Sequence, residues 1–393
     1  MERGWHHIGV VNIQLYTRLY LRLYSVVMNA LVRPTNQRPR NRLKRLIQPL
    51  IVPQVFDFWA SKVNPTWSWE RPMARITGRR AESADSVTLW LQPNRHWAGF
   101  QPGQHLNVSA QLDGVRVTRS YSLTNASAAD GRLAITVKGI EGGKLSRHLC
   151  ESAGIGEVLE IGQAFGEMTL PPSPQGNWLF LAAGSGITPL MSMARALAAQ
   201  GMPVPLTLVY WARTRHELCF VDELKKYAAT HSNFSIHFVL TREPVAGDEA
   251  TGRLNGSMIQ ALVADISSRQ VFACGPGGFV DTARAALSDA KSFQAEAFSP
   301  PPRAIEESGS VQVTLAASGR TLTVPRGQSL LTALEAEGLR PASGCRMGIC
   351  NTCSCGKPSG VTRHLHTGEL AHEPASALKL CISSASTDLV LDL

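Results

Sequence analysis

Four cysteines near the C-terminus, Cys345, Cys350, Cys353 and Cys381, carry the most specific chemical signal in the chain. The first three are spaced C-x4-C-x2-C, and the fourth follows after 27 intervening residues. Thiolates in that order suit a plant-type [2Fe–2S] cluster, where one tight loop supplies three ligands and a distant segment the fourth. A structural zinc site takes two short Cys or Cys/His pairs, and only Cys350/Cys353 forms one here. Disulfides are disfavoured, because four of the eight cysteines crowd into residues 345–355 and no secretory signal is recognisable. Gly344 and Gly348 let the backbone close around the sulfurs and aim N–H groups at them, while Cys355 reads as a spare thiol. Such a cluster moves single electrons, so other residues must supply them.

Arg119-Ser120-Tyr121-Ser122, with Thr124 close behind, offers a cation for a phosphate, a ring to lie flat on an isoalloxazine and a hydroxyl for its edge. A buried strand tyrosine beside a surface arginine would spell the same letters. Val137-Lys138 and Gly142-Gly143-Lys144-Leu145-Ser146 then supply a Gly-rich turn before a helix, a natural cradle for a pyrophosphate. Gly184-Ser185-Gly186-Ile187-Thr188-Pro189 follows an apolar strand; its glycines admit phosphate, Thr188 is expected to cap, and Pro189 to take the first helical position. It is not G-x-G-x-x-G. After the next strand comes Arg213, with no acid before Glu217 to take a ribose hydroxyl. Arg213 is therefore read as a 2′-phosphate ligand, favouring NADPH over NADH. Cys274-Gly275-Pro276 ends another strand, where a small buried residue is the plain alternative, and Glu296 and Phe298 precede a Pro-rich run.

The elements that must position these residues change character along the chain. Residues 69–172 hold short alternating strands, Met73–Gly78, Ser86–Leu91, His105–Ala110, Thr118–Thr124 and Leu133–Lys138, at the spacing of a small antiparallel β-barrel. Residues 175–298 alternate strands and helices, with strands at Trp178–Ala182, Leu206–Tyr210, Ser235–Leu240 and Val271–Cys274 and helices at Leu190–Gln200, Val221–Tyr227, Met258–Val263 and Gly278–Asp289. That is the pattern of an α/β parallel sheet. Residues 299–308 form a stiff Pro-rich linker, and 309–393 a compact α+β cluster domain.

The chain of 393 residues carries a net charge of +9, and residues 1–50 hold nine Lys/Arg against one acid, a net +8. Within the N-terminal extension, residues 1–68, a helix is expected over 8–32, with tyrosines and arginines recurring four apart. It suits either an anionic membrane surface or docking on the protein itself, and Met28 is an alternative start. Nucleic acid is disfavoured, since no recognised binding module accompanies the charge. The cluster chemistry and free cysteines point to a reducing, cytoplasmic setting, no apolar run reaches the roughly 18–20 residues of a membrane-spanning helix, and residues 1–50 suit peripheral contact at the inner face of the membrane.

In order, these motifs resemble the ferredoxin-NADP reductase-like flavoproteins fused to a C-terminal plant-type ferredoxin of β-grasp fold. That resemblance implies FAD rather than FMN, held by Arg119, Ser120, Tyr121, Ser122, Thr124, Val137, Lys138, Gly143, Lys144 and Ser146. It implies a nicotinamide site at Gly184, Ser185, Gly186, Thr188, Arg213, Cys274, Gly275 and Pro276, with Phe298 near the flavin. Ser122, Cys274 and Glu296 take the catalytic positions. Electrons then pass from NADPH through FAD to the cluster and on to a protein acceptor. The gap of 27 residues before Cys381 fits phthalate dioxygenase reductase-like enzymes and not dihydroorotate dehydrogenase subunits. The segments Asn64–Ser68, Cys345–Cys350 and Gly360–Glu369 look most like bacterial reductases of membrane di-iron fatty-acid desaturases. A soluble ring hydroxylase or monooxygenase is the alternative acceptor, and a redox sensor or simple carrier the alternative class.

Overall fold

A computed structural model describes residues 52–393 apart from 128–129, 245–246, 248, 299–306 and 366. The expected helix over 8–32, the basic stretch and the Pro-rich run at 299–303 lie outside the described residues. The chain divides into two compact units, Met1–Val63 and Asn64–Leu393. In the first, α1 (Pro53–Val63) buries Phe56 and Ala60 and exposes Val55, Phe58, Trp59 and Val63.

The second unit begins with a six-stranded antiparallel sheet of β1 (Met73–Ser83), β2 (Ser86–Pro93), β3 (His105–Leu112), β4 (Val115–Ser122), β5 (Leu133–Lys138) and β6 (Val158–Ile161). Their spatial order is β4-β3-β6-β1-β2-β5. A bridge between Leu123 and Ile135 joins the two edges, so the sheet closes on itself. Alternate residues Val87, Leu89 and Leu91 of β2 and Leu133, Ile135 and Val137 of β5 fill the interior. The short β6 carries no strong alternation, yet it sits in mid-sheet between β3 and β1. Between β5 and β6 lie α2 (Lys144–Arg147) and a π-turn, His148–Ser152.

The next sheet is parallel throughout, in the order β10-β9-β8-β7-β11-β12. It comprises β7 (Asn177–Ala183), β8 (Leu206–Ala212), β9 (Phe234–Leu240), β10 (Ala250–Thr251), β11 (Arg269–Gly275) and β12 (Ser292–Ala297). Every residue of β8 is buried, as both faces are covered. Trp178, Phe180, Leu208 and Tyr210 pack against α3 (Ile187–Ala199) and α4 (Val221–Thr230). Leu179, Leu181, Val209 and Val271 face α5 (Gly256–Leu262) and α6 (Gly277–Ala286). The chain moves outward from β7 to β8 and β9, then returns to the other side of β7 with β11. That reversal makes a crevice at the carboxyl ends of β7 and β11.

The C-terminal part combines β13 (Ser310–Leu315), β14 (Thr321–Pro325), α7 (Leu330–Ala336), β15 (Ser354–Lys357), β16 (Thr362–His364), β17 (Leu370–Ala371), β18 (Ala375–Lys379), β19 (Ser383–Ala385) and β20 (Leu389–Leu391). β13 pairs antiparallel with β14 and parallel with β20, and α7 buries Leu330, Leu331 and Leu334 in their shared core. The multidomain fold expected from the sequence is the one observed: antiparallel barrel, parallel α/β sheet and α+β ferredoxin-type domain.

Candidate cofactor sites

Along β4, Ser122 is buried opposite His105, Tyr121 is half-buried and Arg119 is exposed. Burial pushes the Tyr121 phenol above its ordinary 10.0, so the ring stays neutral. Although the residue as a whole is exposed, partial burial of its guanidinium lowers Arg119, and the Arg346 guanidinium of the cluster loop adds to that effect, bringing two cations from different domains into one neighbourhood. Thr124 is turned inward: its hydroxyl donates to Ala134 O at 3.2 Å and accepts from Thr136 Oγ1 at 3.4 Å. Its hydroxyl thus holds β5, and Val137 is likewise interior.

The Gly-rich turn precedes a short helix, α2, that runs straight on into the π-turn His148–Ser152. Gly143 is the N-cap residue of α2, Lys144 is exposed, and the buried Ser146 hydroxyl folds back to Gly143 O at 3.5 Å. Lys138, at the end of β5, is bound on two sides. Its Nζ lies 2.9 Å from Asp85 and 2.8 Å from Glu217, which belongs to the parallel-sheet domain. Glu217 also reaches Arg213 Nε at 2.9 Å. The acid that appeared too distant in sequence therefore sits directly on the arginine assigned to a phosphate.

Gly184, Ser185 and Gly186 form a 3-10 turn at the end of β7, beside Cys274, Gly275 and Pro276 at the end of β11. The two loops touch so closely that a Cβ on Gly186 would lie 2.0 Å from Cys274 O. This contact alone requires glycine, whatever binds nearby. Thr188 does not cap the helix. α3 starts at Ile187, with Gly186 as N-cap and no side-chain cap; Thr188 Oγ1 donates to Ser185 O at 2.9 Å. Pro189 accordingly stands third in the helix, a position whose N–H has no intrahelical partner anyway. Gly184, Ser185, Ile187 and Thr188 line a small cleft with Ser86, Thr136, Lys138, Glu217 and Cys219, at the switch point of the sheet.

Cys274 is fully buried with its sulfur 3.9 Å from Met168 Sδ, and burial drives its thiol far above the ordinary 9.0. It is a neutral, packed thiol with no nucleophilic character. Its register partner on β12 is Glu296. Glu296 Oε2 lies 3.0 Å from Nε2 of His105, without hydrogen-bond geometry. His105 stacks on Phe165, and Phe298 meets it edge-on, with ring centroids 5.9 and 6.0 Å away. The sequence reading placed Glu296 and Phe298 here and missed His105, whose one signal was an ionisable residue at an inward strand position.

The four cysteines gather as two pairs. Backbone N–H groups of Met347 and Cys350 donate to Cys345 Sγ, both at 3.3 Å, and Cys345 N–H donates to Cys350 Sγ at 3.2 Å. The Cys345 thiol draws Cys350 down to about 4, and that of Cys381 draws Cys353 down to about 6, so each pair favours one thiolate. Two sulfurs on one side and two on the other fit a two-iron centre with two thiolates per iron. Among the described residues no three His, Cys, Asp or Glu side chains gather as for a single metal ion. Gly348 turns the loop at φ +78°, and Arg346 clamps it to α7 through Glu335 at 2.8 and 2.5 Å. The loop touches the barrel as well. Ser120 donates to Asn107 Oδ1, and Asn107 Nδ2 donates to Thr352 Oγ1 at 3.3 Å.

Comparison with known proteins agrees with this division of labour. The family descriptions that match are an oxidoreductase FAD-binding domain over residues 74–169, an oxidoreductase NAD-binding domain over 180–285, and a 2Fe-2S iron-sulfur cluster binding domain over 313–383. An NADPH oxidoreductase of Mycobacterium tuberculosis is 35% identical over 358 residues, covering 89% of this chain and 92% of that protein. A glycine betaine monooxygenase reductase subunit of Pseudomonas aeruginosa is 29% identical over 83% of this chain and 96% of its own. The solved structure of phthalate dioxygenase reductase superposes with a TM-score of 0.56 at 26% identity, covering 82% of this chain and 97% of that one. Fold and sites thus define an electron-transfer flavoprotein with a built-in iron–sulfur domain. The chain belongs to the ferredoxin-reductase family, as an NAD(P)H-dependent oxidoreductase that uses FAD and a [2Fe–2S] cluster.

Proposed function

We propose that this protein is the reductase component of an oxygenase system, taking electrons from NADPH and delivering them singly to a protein acceptor. The observation that carries the reading is the contact of the cluster loop with the barrel strand bearing Arg119-Ser120-Tyr121-Ser122, made through Asn107 and Thr352. The flavin segment borders the cluster loop there and the nucleotide cleft at Lys138. When bound, FAD accepts a two-electron hydride and releases electrons one at a time, the count a [2Fe–2S] centre accepts.

In this reading Arg119, Ser120, Tyr121 and Ser122 hold the flavin, with Thr124 and Val137 shaping its strand and Lys138, Gly143, Lys144 and Ser146 at its phosphate side. Gly184, Ser185, Gly186, Thr188 and Arg213 receive the nucleotide. Cys274, Gly275 and Pro276 give the nicotinamide a neutral wall, and Glu296 and Phe298 close the site against His105. Cys345, Cys350, Cys353 and Cys381 bind iron. Relatives named as reductase subunits of glycine betaine and 3-ketosteroid monooxygenases support an oxygenase as acceptor, and the relative named NADPH oxidoreductase supports the coenzyme. NADPH-driven cytochrome c reduction by the loaded protein, on the order of tens of turnovers per second, is the expected result. Slow bleaching alone would favour a sensor.

The basic residues 1–50 favour one narrower variant, a desaturase acceptor at the cytoplasmic face of a membrane. Among the described residues no helix is long and apolar enough to cross one. Flotation of the full chain and of a version lacking residues 1–50 with anionic vesicles separates the two acceptors. Binding that needs the N-terminal segment favours the desaturase, and no binding by either favours a soluble oxygenase.

A further inference from the structure

We propose that Glu217 is an internal anion of the nucleotide cleft, occupying Arg213, the cation a 2′-phosphate needs, and thereby limiting the preference for a 2′-phosphate. The inference rests on the reading that the cleft beside Gly184–Thr188 is the nucleotide site.

The geometry is that of a phosphate stand-in. Glu217 closes the short 3-10 turn Arg215–Glu217 after β8, and its carboxylate oxygens span two cations from different domains. Lys138 Nζ of the barrel lies 2.8 Å away and Arg213 Nε lies 2.9 Å away. Lys138 also meets Asp85 at 2.9 Å, so two cations face two carboxylates and the group is neutral. Burial alone would raise the Glu217 carboxyl, but its bonds from Lys138 and Arg213 outweigh that and hold it below the ordinary 4.5. It is therefore charged at neutral pH.

The nearby cation cannot substitute. Arg215 is turned to Glu249 at 2.8 and 2.9 Å, and its backbone N–H donates to Glu243. A 2′-phosphate arriving at Arg213, which stays half-exposed, meets the Glu217 carboxylate first. It must repel that side chain or displace it before the guanidinium is free. A nucleotide lacking the 2′-phosphate brings no charge to that point and feels the carboxylate less. Glu217 therefore taxes NADPH selectively, and its hold on Lys138 couples phosphate arrival to the barrel–sheet contact.

The test is titration calorimetry of the FAD- and cluster-loaded full chain with 2′,5′-ADP and with 5′-AMP, for wild type and Glu217→Gln. Removing one negative charge about 4 Å from a phosphate in water-like surroundings corresponds to roughly fivefold. The expected outcome is about fivefold tighter 2′,5′-ADP in the variant, with 5′-AMP changed less than about twofold. Should Glu217→Gln lose its cofactors, Glu217→Ser removes the same charge and carries the same expectation. Unchanged or weaker 2′,5′-ADP binding with flavin and cluster absorbance intact overturns the role of Glu217. So does a selective loss of 5′-AMP, which would make Glu217 a ribose ligand. If 2′,5′-ADP fails to compete with NADPH in both proteins, the cleft is not the nucleotide site and both readings fall.

Discussion

Asn107 shows how much of the account depends on single side chains. Its amide accepts from Ser120 on β4 and donates to Thr352 in the cluster loop, 245 positions away. Nothing in the sequence near Asn107 signals this, since an Asn on a barrel strand is common at the surface. Asn107→Leu keeps the branched shape and removes both bonds. Cluster reduction by NADPH, followed by stopped flow, should slow by roughly tenfold, because electron transfer inside the protein depends on placement. Reduction of the flavin itself should change less than about twofold. Equal slowing of both phases would mean that Asn107 serves the barrel and not the junction.

At the scale of elements, the crevice between β7 and β11 is built by backbone proximity. Gly186 admits the Cys274 carbonyl, and Gly275 admits Ala183, whose Cβ would lie 2.9 Å from an added methyl. Gly186→Ala must push these loops apart and should cost about 3 kcal/mol or more, measured by urea denaturation. A loss below about 1 kcal/mol would show that the crevice can breathe. The apolar runs Trp178–Ala182, Leu206–Tyr210 and Val271–Cys274 revealed three of these strands, because a parallel strand covered on both faces has few polar interruptions. β6 and β12 were not legible: Val158–Ile161 is four residues long, and Ser292–Ala297 is a partly exposed edge strand with mixed composition. The start of α3 was misplaced for a related reason. Thr188 and Pro189 look like N-terminal punctuation, whereas close packing on Cys274 already turns the chain at Gly184–Gly186.

At the scale of the molecule, function depends on contacts between domains, and these are what local spacing cannot reveal. Lys138 and Glu217 are 79 positions apart, yet they join the barrel to the parallel sheet, as Arg195 does by bonding Glu223 at 2.7 Å and Thr124 O at 2.7 Å. The cysteine pattern was legible because three ligands share one loop. Burial raises the Asp85, Glu217 and Glu223 carboxyls, but their Lys and Arg partners outweigh it and leave all three below their ordinary 3.8, 4.5 and 4.5. Their contribution is complete above those ordinary values and is lost as pH falls through the lowered ones. The thermal midpoint, read by release of flavin fluorescence, should fall between about pH 5 and pH 3. A double Glu217→Gln, Glu223→Gln variant should show a shallower fall, and an unchanged slope would remove these pairs as the cause. The central claim is the order of transfer from nucleotide to flavin to cluster, and Cys350→Ser tests it most directly. The variant should lose cluster absorbance and at least about tenfold of its cytochrome c reduction. Its NADPH-dependent ferricyanide reduction, drawn from the flavin, should stay within about twofold of wild type. Loss of ferricyanide reduction together with cytochrome c reduction, with FAD still bound, would contradict that order.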